Sequence, residues 1–379
     1  MPWKESTAMS SRLEFVRLAS VPGANIQALS RGFGISRKTA YKWLDRYERE
    51  GESGLLEQSR RPHNSPSLAS PSVEKRVLAL HEADPYWGGR KLRALLLEEQ
   101  ASAPHHSTID AILRRHGRQV EGAASKEPVA PGRFEHSAPN LLWQMDFKGH
   151  FGLTDKSAGR CHPLTILDDY SRFNICLAAC ADEKRTTVQA AMTTAFEHFG
   201  LPERITADNG PPWGMHGHKA LTSLEVWLIR LGIKVSHSRP YHPQTQGKDE
   251  RFHRTLKLEL ISRRGFNTLL GCQRAFDEWR DRYNQVRPHE ALGQRPPATR
   301  YRSSGRLFPA TLPPVEYPLE DKVVKVRLNG QLYFEKNDIF VGEGLKGELV
   351  AIRPTLTDGV FKVYFCDVEV REINLGAQG

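Results

Sequence analysis

The run from His237 to Leu260, HSRPYHPQTQGKDERFHRTLKLEL, constrains the fold more than any other stretch of the chain. Pro240, Pro243 and Gly247 punctuate a loop, and the residues after Gly247 have the pattern of a helix. Phe252, Leu256 and Leu260 recur every fourth residue, so this helix must bury a stripe against a larger body. Glu250, His253, Arg254 and Lys257 fall on a different face. Asp249 points roughly 100° away from Glu250 on an ideal helix and reads as solvated. The helix presents one acid among several cations, which suits a metal ion working on a polyanion.

Two further acids lie upstream in settings of a different kind. In Leu141 to Lys148 (LLWQMDFK), Trp143, Met145 and Phe147 alternate with Gln144 and Asp146. A strand with that alternation buries the first set and turns Asp146 away from it. In Arg204 to Gly210 (RITADNG) a short strand ends at Asp208, and Asn209-Gly210 turns the chain. Asp208 follows Asp146 by 62 positions, and Glu250 follows Asp208 by 42. Neighbouring strands can close the first gap, and the helix of Glu250 can close the site.

WQMD ending at Asp146, LDDYSR at Leu167 to Arg172, TADNG around Asp208 and SRPYHPQTQGKDERFHRTLK around Glu250 occur in that order. Together they resemble the DDE transposases and retroviral integrases, and among them the transposases of bacterial insertion sequences. The resemblance runs from Pro139 to Arg300, where Tyr283-Asn284 and Arg287-Pro288-His289 match the family's YN and RPH segments. The Asp208 to Glu250 interval exceeds the roughly 35 residues common in the family, and the extra residues are assigned to a loop, Pro211 to Lys219.

The resemblance implies an RNase H-like α/β core with a mixed sheet, in which Asp146, Asp208 and Glu250 are the catalytic acids and the metal ligands. Their hard oxygens suit Mg²⁺, with Mn²⁺ as a substitute. Two such ions held roughly 4 Å apart can bind the attacking and leaving oxygens of an in-line displacement. Asp146 is expected to bridge both ions, with Asp208 and Glu250 holding one each, and no cofactor beyond metal is expected. The implied activity is that of a transposase. It binds the terminal inverted repeats of its element, cleaves to give a 3′-OH and joins that end to target DNA. Two ends must be held together, so a symmetric homo-oligomer is expected.

Around the acids, Lys248, Arg254 and Lys257 are expected to contact phosphates, and Tyr241 to Gln246 to form a mobile loop over the scissile strand. His237, His242 and His253 are weighed as proton relays or metal neighbours, with a surface or phosphate-bonding role preferred. Asp168 and Asp169 precede Tyr170-Ser171-Arg172 at a predicted hairpin. A structural role, bonding turn backbone or pairing with Arg, is preferred for them, since the pair is not part of the family's triad.

Charge agrees with a nucleic-acid partner. The chain has 54 Lys and Arg against 44 Asp and Glu, and its pI is near 9.4. Most of that excess lies between Arg251 and Arg306, with 13 basic and 5 acidic residues. Concentrated beside Glu250, it favours phosphate contacts over a merely solubilising surface. The 5 cysteines are few and scattered. They argue for a reducing compartment, and Cys176 and Cys180, in the apolar run ICLAAC, read as small core residues rather than zinc ligands. No run has the length of a membrane span, so a cytoplasmic, nucleoid-associated protein without a membrane partner is expected.

The remaining segments supply an address. Residues 1–51 read as an all-α helix-turn-helix domain. Ile26, Leu29 and Phe33 mark one helix, Gly34 the turn, and Ser36 caps a second with Ala40, Trp43, Leu44 and Tyr47 inward. That leaves Arg37, Lys38, Tyr41, Lys42 and Arg46 outward for a major groove of double-stranded DNA. Residues 52–71 read as a linker whose Arg60 and Arg61 suit either a minor-groove arm or a solvated tether. Residues 72–118 read as a second helix-turn-helix unit, with Ser107 as a cap and Arg90, Lys91, Arg114 and Arg115 as its DNA-facing cations. After a linker at 119–138 come the core at 139–306 and a Pro-rich linker at 307–319. Residues 320–379 carry short β-rich runs with Asn329-Gly330 and Asp358-Gly359 turns, as expected of a small all-β, SH3-like barrel.

Two rival functions remain open at this level. A non-catalytic, transposase-derived DNA-binding regulator is expected to have lost an acid, and none is lost here. A plain RNase H-like nuclease needs no sequence-reading helical units.

Overall fold

The computed structural model describes residues 7–58, 69–118, 135–208, 210, 212–214, 220–237 and 247–375. The chain divides into two compact units, Met1–Leu68 and Ala69–Gly379, each described by itself.

The first unit contains α1 (Ala8–Ala19), α2 (Ile26–Gly32) and α3 (Arg37–Glu50). Ser36 starts α3 as expected: its hydroxyl accepts from Thr39 N at 3.1 Å, a cap worth about 1 kcal/mol. Gly34, between α2 and α3, has φ of 65°, a conformation that costs glycine nothing. Ala40 and Trp43 are buried against Phe15, Val16 and Ala19 of α1, a helix the sequence reading did not mark. The unit runs past residue 51. A 3₁₀ turn at Gly51–Leu55 folds back, Leu55 is fully buried, and its carbonyl accepts from Arg12 Nη1 at 2.8 Å. An apolar side chain closes the small core where a linker was expected.

The second unit begins with α4 (Pro71–Ala83), α5 (Gly89–Glu99) and α6 (His106–Arg115), packed around Val77, Trp87, Leu92, Leu96, Ile109 and Leu113. His105, not Ser107, caps α6, its ring accepting from Ser107 N. Gly89 is required by packing, because a Cβ there would lie 2.4 Å from the His106 carbonyl oxygen.

The central sheet is built from β1 (Trp143–Phe147), β2 (Phe151–Gly152), β3 (Arg160–Asp168), β4 (Asn174–Cys180), β5 (Arg204–Ala207) and β6 (Lys234–His237). Its order is β2-β3-β1-β5-β6, with β4 on β3. β3 is antiparallel to both β1 and β4, while β1, β5 and β6 are parallel, which makes the sheet mixed, as expected. On one face Trp143, Met145 and Ile205 meet α7 (Arg185–Phe199) and α8 (Ser223–Arg230) through Val188, Met192, Phe196, Leu224 and Trp227. On the other, Phe252, Leu256 and Leu260, from α9 (Gly247–Glu259) and the residue after it, pack with Phe276, Trp279 and Tyr283 of α10 (Leu269–Gln285) over Leu167 and Leu177. Cys161, Cys176, Cys180 and Cys272 are buried free thiols. Within the segment assigned to a loop, Trp213 is buried with its ring 5.7 Å from that of Phe147.

The C-terminal part is all antiparallel. β7 (Lys322–Lys325), β10 (Leu349–Pro354), β11 (Val360–Phe365) and β12 (Val368–Asn374) form a sheet in the order β12-β11-β10-β7, beside a hairpin of β8 (Gln331–Phe334) and β9 (Asn337–Phe340). Its hydrophobic core includes Val226 and Ile229 of α8, so this domain is seated on the central-sheet domain. Among the described residues no helix is long and apolar enough to cross a membrane.

Candidate active site

Register brings the first two acids together. β1 and β5 pair in parallel with Trp143 opposite Ile205 and Gln144 opposite Thr206. Carried on by two residues, the same offset sets Asp146 opposite Asp208, on the face away from Trp143 and Met145. Strands in a sheet lie about 4.8 Å apart, so the carboxylates are neighbours. Burial, and then the charge of Asp208, push the Asp146 carboxyl up to about 6. A carboxyl whose proton affinity is raised by a neighbouring carboxylate favours a divalent cation beside it.

The third acid stands on α9, which lies against β1. Asp249, Phe252, His253 and Leu256 form the buried side of this helix, while Glu250, Arg254 and Lys257 are exposed along its flank. Asp249 therefore departs from expectation. It is only 4% exposed, because it continues the i, i+3, i+4 stripe of Phe252 and His253 rather than the flank. Its Oδ1 has no hydrogen-bond partner among the described residues. Burial, then the nearby charges of Asp146 and Asp169, hold its carboxyl well above the ordinary range.

His253 neighbours Asp146 directly. Its Nδ1 lies 3.9 Å from Asp146 Oδ2, and its Nε2 lies 2.8 Å from the Thr165 hydroxyl, which donates to the Asp146 carbonyl oxygen at 3.0 Å. That hydroxyl has one proton, so it accepts from a neutral His253. Burial, aided by Lys148, takes the imidazole down to about 4, in keeping with that form. His237 serves the other acid. Its Nδ1 is 3.0 Å from the Asp208 carbonyl oxygen and its Nε2 is 2.9 Å from Glu225. Both partners accept, which calls for an imidazolium, and the Glu225 hydrogen bond raises its pKa accordingly.

Asp168 and Asp169 have the structural roles preferred for them. Asp168 accepts from Asn140 N at 2.7 Å and from Ser171 N at 2.8 Å. Asp169 accepts from His136 N at 2.9 Å and Gln144 Nε2 at 3.1 Å, and it is paired with Lys248. Burial alone would raise the Asp169 carboxyl, but Lys248 and His136 outweigh it and hold the group below its usual range. Lys248 is therefore engaged inside the protein rather than extended toward a phosphate.

The other cations expected at DNA divide in the same way. Arg37, Lys38, Tyr41 and Lys42 are exposed on α3, and Arg46 is half-buried over the Trp43 ring. Arg114 is exposed, and Arg115 pairs with Glu74 at 2.7 Å. Arg90 pairs with Glu290 at 2.7 Å. Lys91 is half-buried, and burial followed by the charge of Arg287 lowers its pKa to about 8. The α4–α5 turn faces the core, where Trp87 Nε1 donates to Glu259 at 3.2 Å and Asp84 pairs with Arg282. Arg60, Arg61, His242 and the loop Tyr241 to Gln246 lie outside the described residues.

Among the described residues, no group of three or more His, Cys, Asp and Glu is drawn together as a metal cage. The donor chemistry nevertheless fits a hard divalent ion, since Asp146 and Asp208 offer adjacent carboxylates and Glu250 stands in the first turn of the helix packed on β1.

Comparison with known proteins agrees with this architecture. Two integrase core domain models match residues 136–243 and 231–297. A helix-turn-helix domain model matches residues 11–63, and a homeodomain-like one matches 39–113. The C-terminal domain of IS481 family transposases matches 321–379. The chain is a transposase of the DDE kind with an integrase core, and its C-terminal domain is similar to that of IS481 family transposases. This transposase is 26% identical over 248 residues to an uncharacterized 39.2 kDa protein of insertion element IS476 from Xanthomonas euvesicatoria, covering 65% of the chain and 69% of the relative. It is also 26% identical over 239 residues to a 31.7 kDa protein of element IS407 from Burkholderia multivorans, covering 61% and 82%. A solved structure of the HTLV-2 integrase catalytic core domain in complex with magnesium aligns at a TM-score of 0.34 and 17% identity, covering 44% of this chain and 100% of that one.

Proposed function

We propose that this transposase binds the terminal inverted repeats of its element, hydrolyses one strand at each end to free a 3′-OH, and joins that hydroxyl to target DNA. In the first step a water oxygen attacks phosphorus and the P–O3′ bond breaks, the departing oxygen taking a proton. In the second step the freed 3′-OH attacks a target phosphodiester, and the target's own 3′ oxygen leaves. Asp146, Asp208 and Glu250 hold the two divalent ions, which when bound supply positive charge to the attacking and leaving oxygens. The observation that carries this reading is the parallel pairing of β1 with β5, whose register extended past Ala207 meets Asp208 with Asp146, together with the charge of Asp208 felt at Asp146.

The chain's own residues do the rest. Arg254 and Lys257, exposed on the flank that carries Glu250, neutralise phosphates of the bound strand. His253, neutral beside Asp146, leaves the carboxylate uncompensated and so free for a cation. The exposed face of α3, with Arg37, Lys38, Tyr41 and Lys42, enters a major groove. Arg114 on α6 supports a second DNA contact. Incubation with a labelled duplex from the flanking inverted repeat and Mg²⁺ tests the reading. Site-specific nicking followed by joining is the expected result. Binding without cleavage would favour a regulator, and cutting of unrelated duplexes or hybrids a nuclease.

A further inference from the structure

Lys248 and Gln144 meet on one carboxylate. Asp169, whose side chain has no exposed surface, receives Lys248 Nζ on Oδ1, with Lys248 only 17% exposed. The same oxygen accepts Gln144 Nε2 at 3.1 Å. Oδ2 accepts His136 N at 2.9 Å and lies 3.1 Å from His136 Nδ1, and the Asp169 backbone N donates to the Leu142 carbonyl at 3.0 Å. Gln144 stands two residues before Asp146 on the same face of β1, and Lys248 two residues before Glu250 on α9. The Gln144 and Lys248 arms of this junction thus each end two residues from an acid of the proposed site.

The first turn of α9 needs such a tie. Phe252, Leu256 and Leu260 anchor the helix farther along. Its first inward residue is Asp249, a buried acid only 4% exposed whose Oδ1 finds no hydrogen-bond partner among the described residues. Left alone, the cost of burying that polar group would drive the turn off the sheet. Lys248, one residue away and seated on Asp169, opposes it.

We propose that Asp169 and Lys248 form a positioning latch that fixes the first turn of α9 against β1 and so sets where Glu250 stands relative to Asp146. The proposal rests on the reading of Asp146, Asp208 and Glu250 as the acids that hold metal. Neither Asp169 nor Lys248 touches the reacting atoms in it.

A double-mutant cycle on the full-length protein tests the latch, using Asp169→Asn, Lys248→Met, the pair together and Lys248→Arg. Hydrogen exchange of the amides at 249–253, measured without DNA or metal, is expected to accelerate about tenfold in each single variant and no further in the double, as for two halves of one interaction. The Mg²⁺ concentration for half-maximal joining of a flanking-repeat duplex is expected to rise by a similar factor, with affinity for the duplex unchanged, and Lys248→Arg is expected to return most of the loss. Additive effects would overturn the latch. So would an Asp169→Asn protein with wild-type exchange and Mg²⁺ requirement, or a Lys248→Met protein whose defect is lost duplex affinity. Should Asp169→Asn fold poorly, the exchange of Lys248→Met against Lys248→Arg decides alone. A wild-type protein that joins nothing rejects the proposed function, while the exchange cycle still judges the latch.

Discussion

Asp146 and Asp208 stand at one level of the sheet because the pairing offset between β1 and β5, Trp143 with Ile205, equals the 62 positions that separate the two acids in sequence. Parallel strands in register project equivalent residues to the same face, and Asp208, the first residue after β5, continues that register beside Asp146. Burial, and then the charge of Asp208, displace the Asp146 pKa upward.

That displacement fixes a pH dependence. The Asp146 carboxyl moves from an ordinary 3.8 to about 6 on folding, so folding favours the protonated form. Its stabilising contribution is complete below the unfolded value and is lost as pH rises through about 6. Asp146→Asn, which carries no charge, is therefore expected to be more stable than wild type at pH 8. The gain is about 1–2 kcal/mol once screening of a side chain roughly one-third exposed is allowed for. Denaturant unfolding in chelator at pH 8 and pH 4 checks this, and a gap that persists at pH 4 would contradict it.

Asp208→Asn is expected to bind an inverted-repeat duplex as wild type does and to lose joining by at least about 100-fold, as when a preorganised charge is removed from a transition state. Gel-shift and strand-joining assays on one preparation separate the two effects. Retained joining would remove Asp208 from the site.

Asp249→Val is expected to stabilise the protein by about 1–2 kcal/mol at neutral pH, since it replaces a buried carboxyl bearing an unpartnered oxygen with an apolar side chain of similar size. Urea unfolding measures it. A loss of stability would mean that the carboxylate has a partner the folded protein needs.

Glu259→Ala is expected to cost about 3–5 kcal/mol, because it strands Arg287 in a pair whose side chains are 9% and 10% exposed. Trp87 Nε1 loses its acceptor in the same change. Hydrogen exchange of α4 to α6 is expected to rise with it, and unchanged protection there would show that Glu259 does not tie those helices to the core.

Arg254→Gln and Lys257→Gln are each expected to weaken duplex binding at all sequences alike and to lower the slope of log affinity against log salt by about one. Titrations at several salt concentrations read this out. An unchanged slope would place that side chain away from the phosphates.

Periodicity and motif order determined much of this protein by themselves. The alternation in LLWQMDFK set which side of β1 bears Asp146. The fourfold recurrence of Phe252, Leu256 and Leu260 set the inner side of α9. The Ser36 cap and Trp43 set α3. All are local, since a repeat of 2 or 3.6 residues is a property of a dozen neighbours. Tertiary structure alone decided what covers each face. Asp249 is one helical position from Glu250, yet it is buried because the sheet reaches the first turn of α9. Lys248 and Lys91, cationic and solvent-ready by composition, are drawn inward by Asp169 and by the docked helical unit. One trace of this was present in the letters: in LEVWLI of α8 every residue but Glu225 is apolar, so apolar side chains lie on more than one side of the helix and must be covered on both. It lies between the central sheet and the C-terminal domain. The identity of those coverings depends on contacts between residues far apart in the chain, and a sequence read in windows does not contain them.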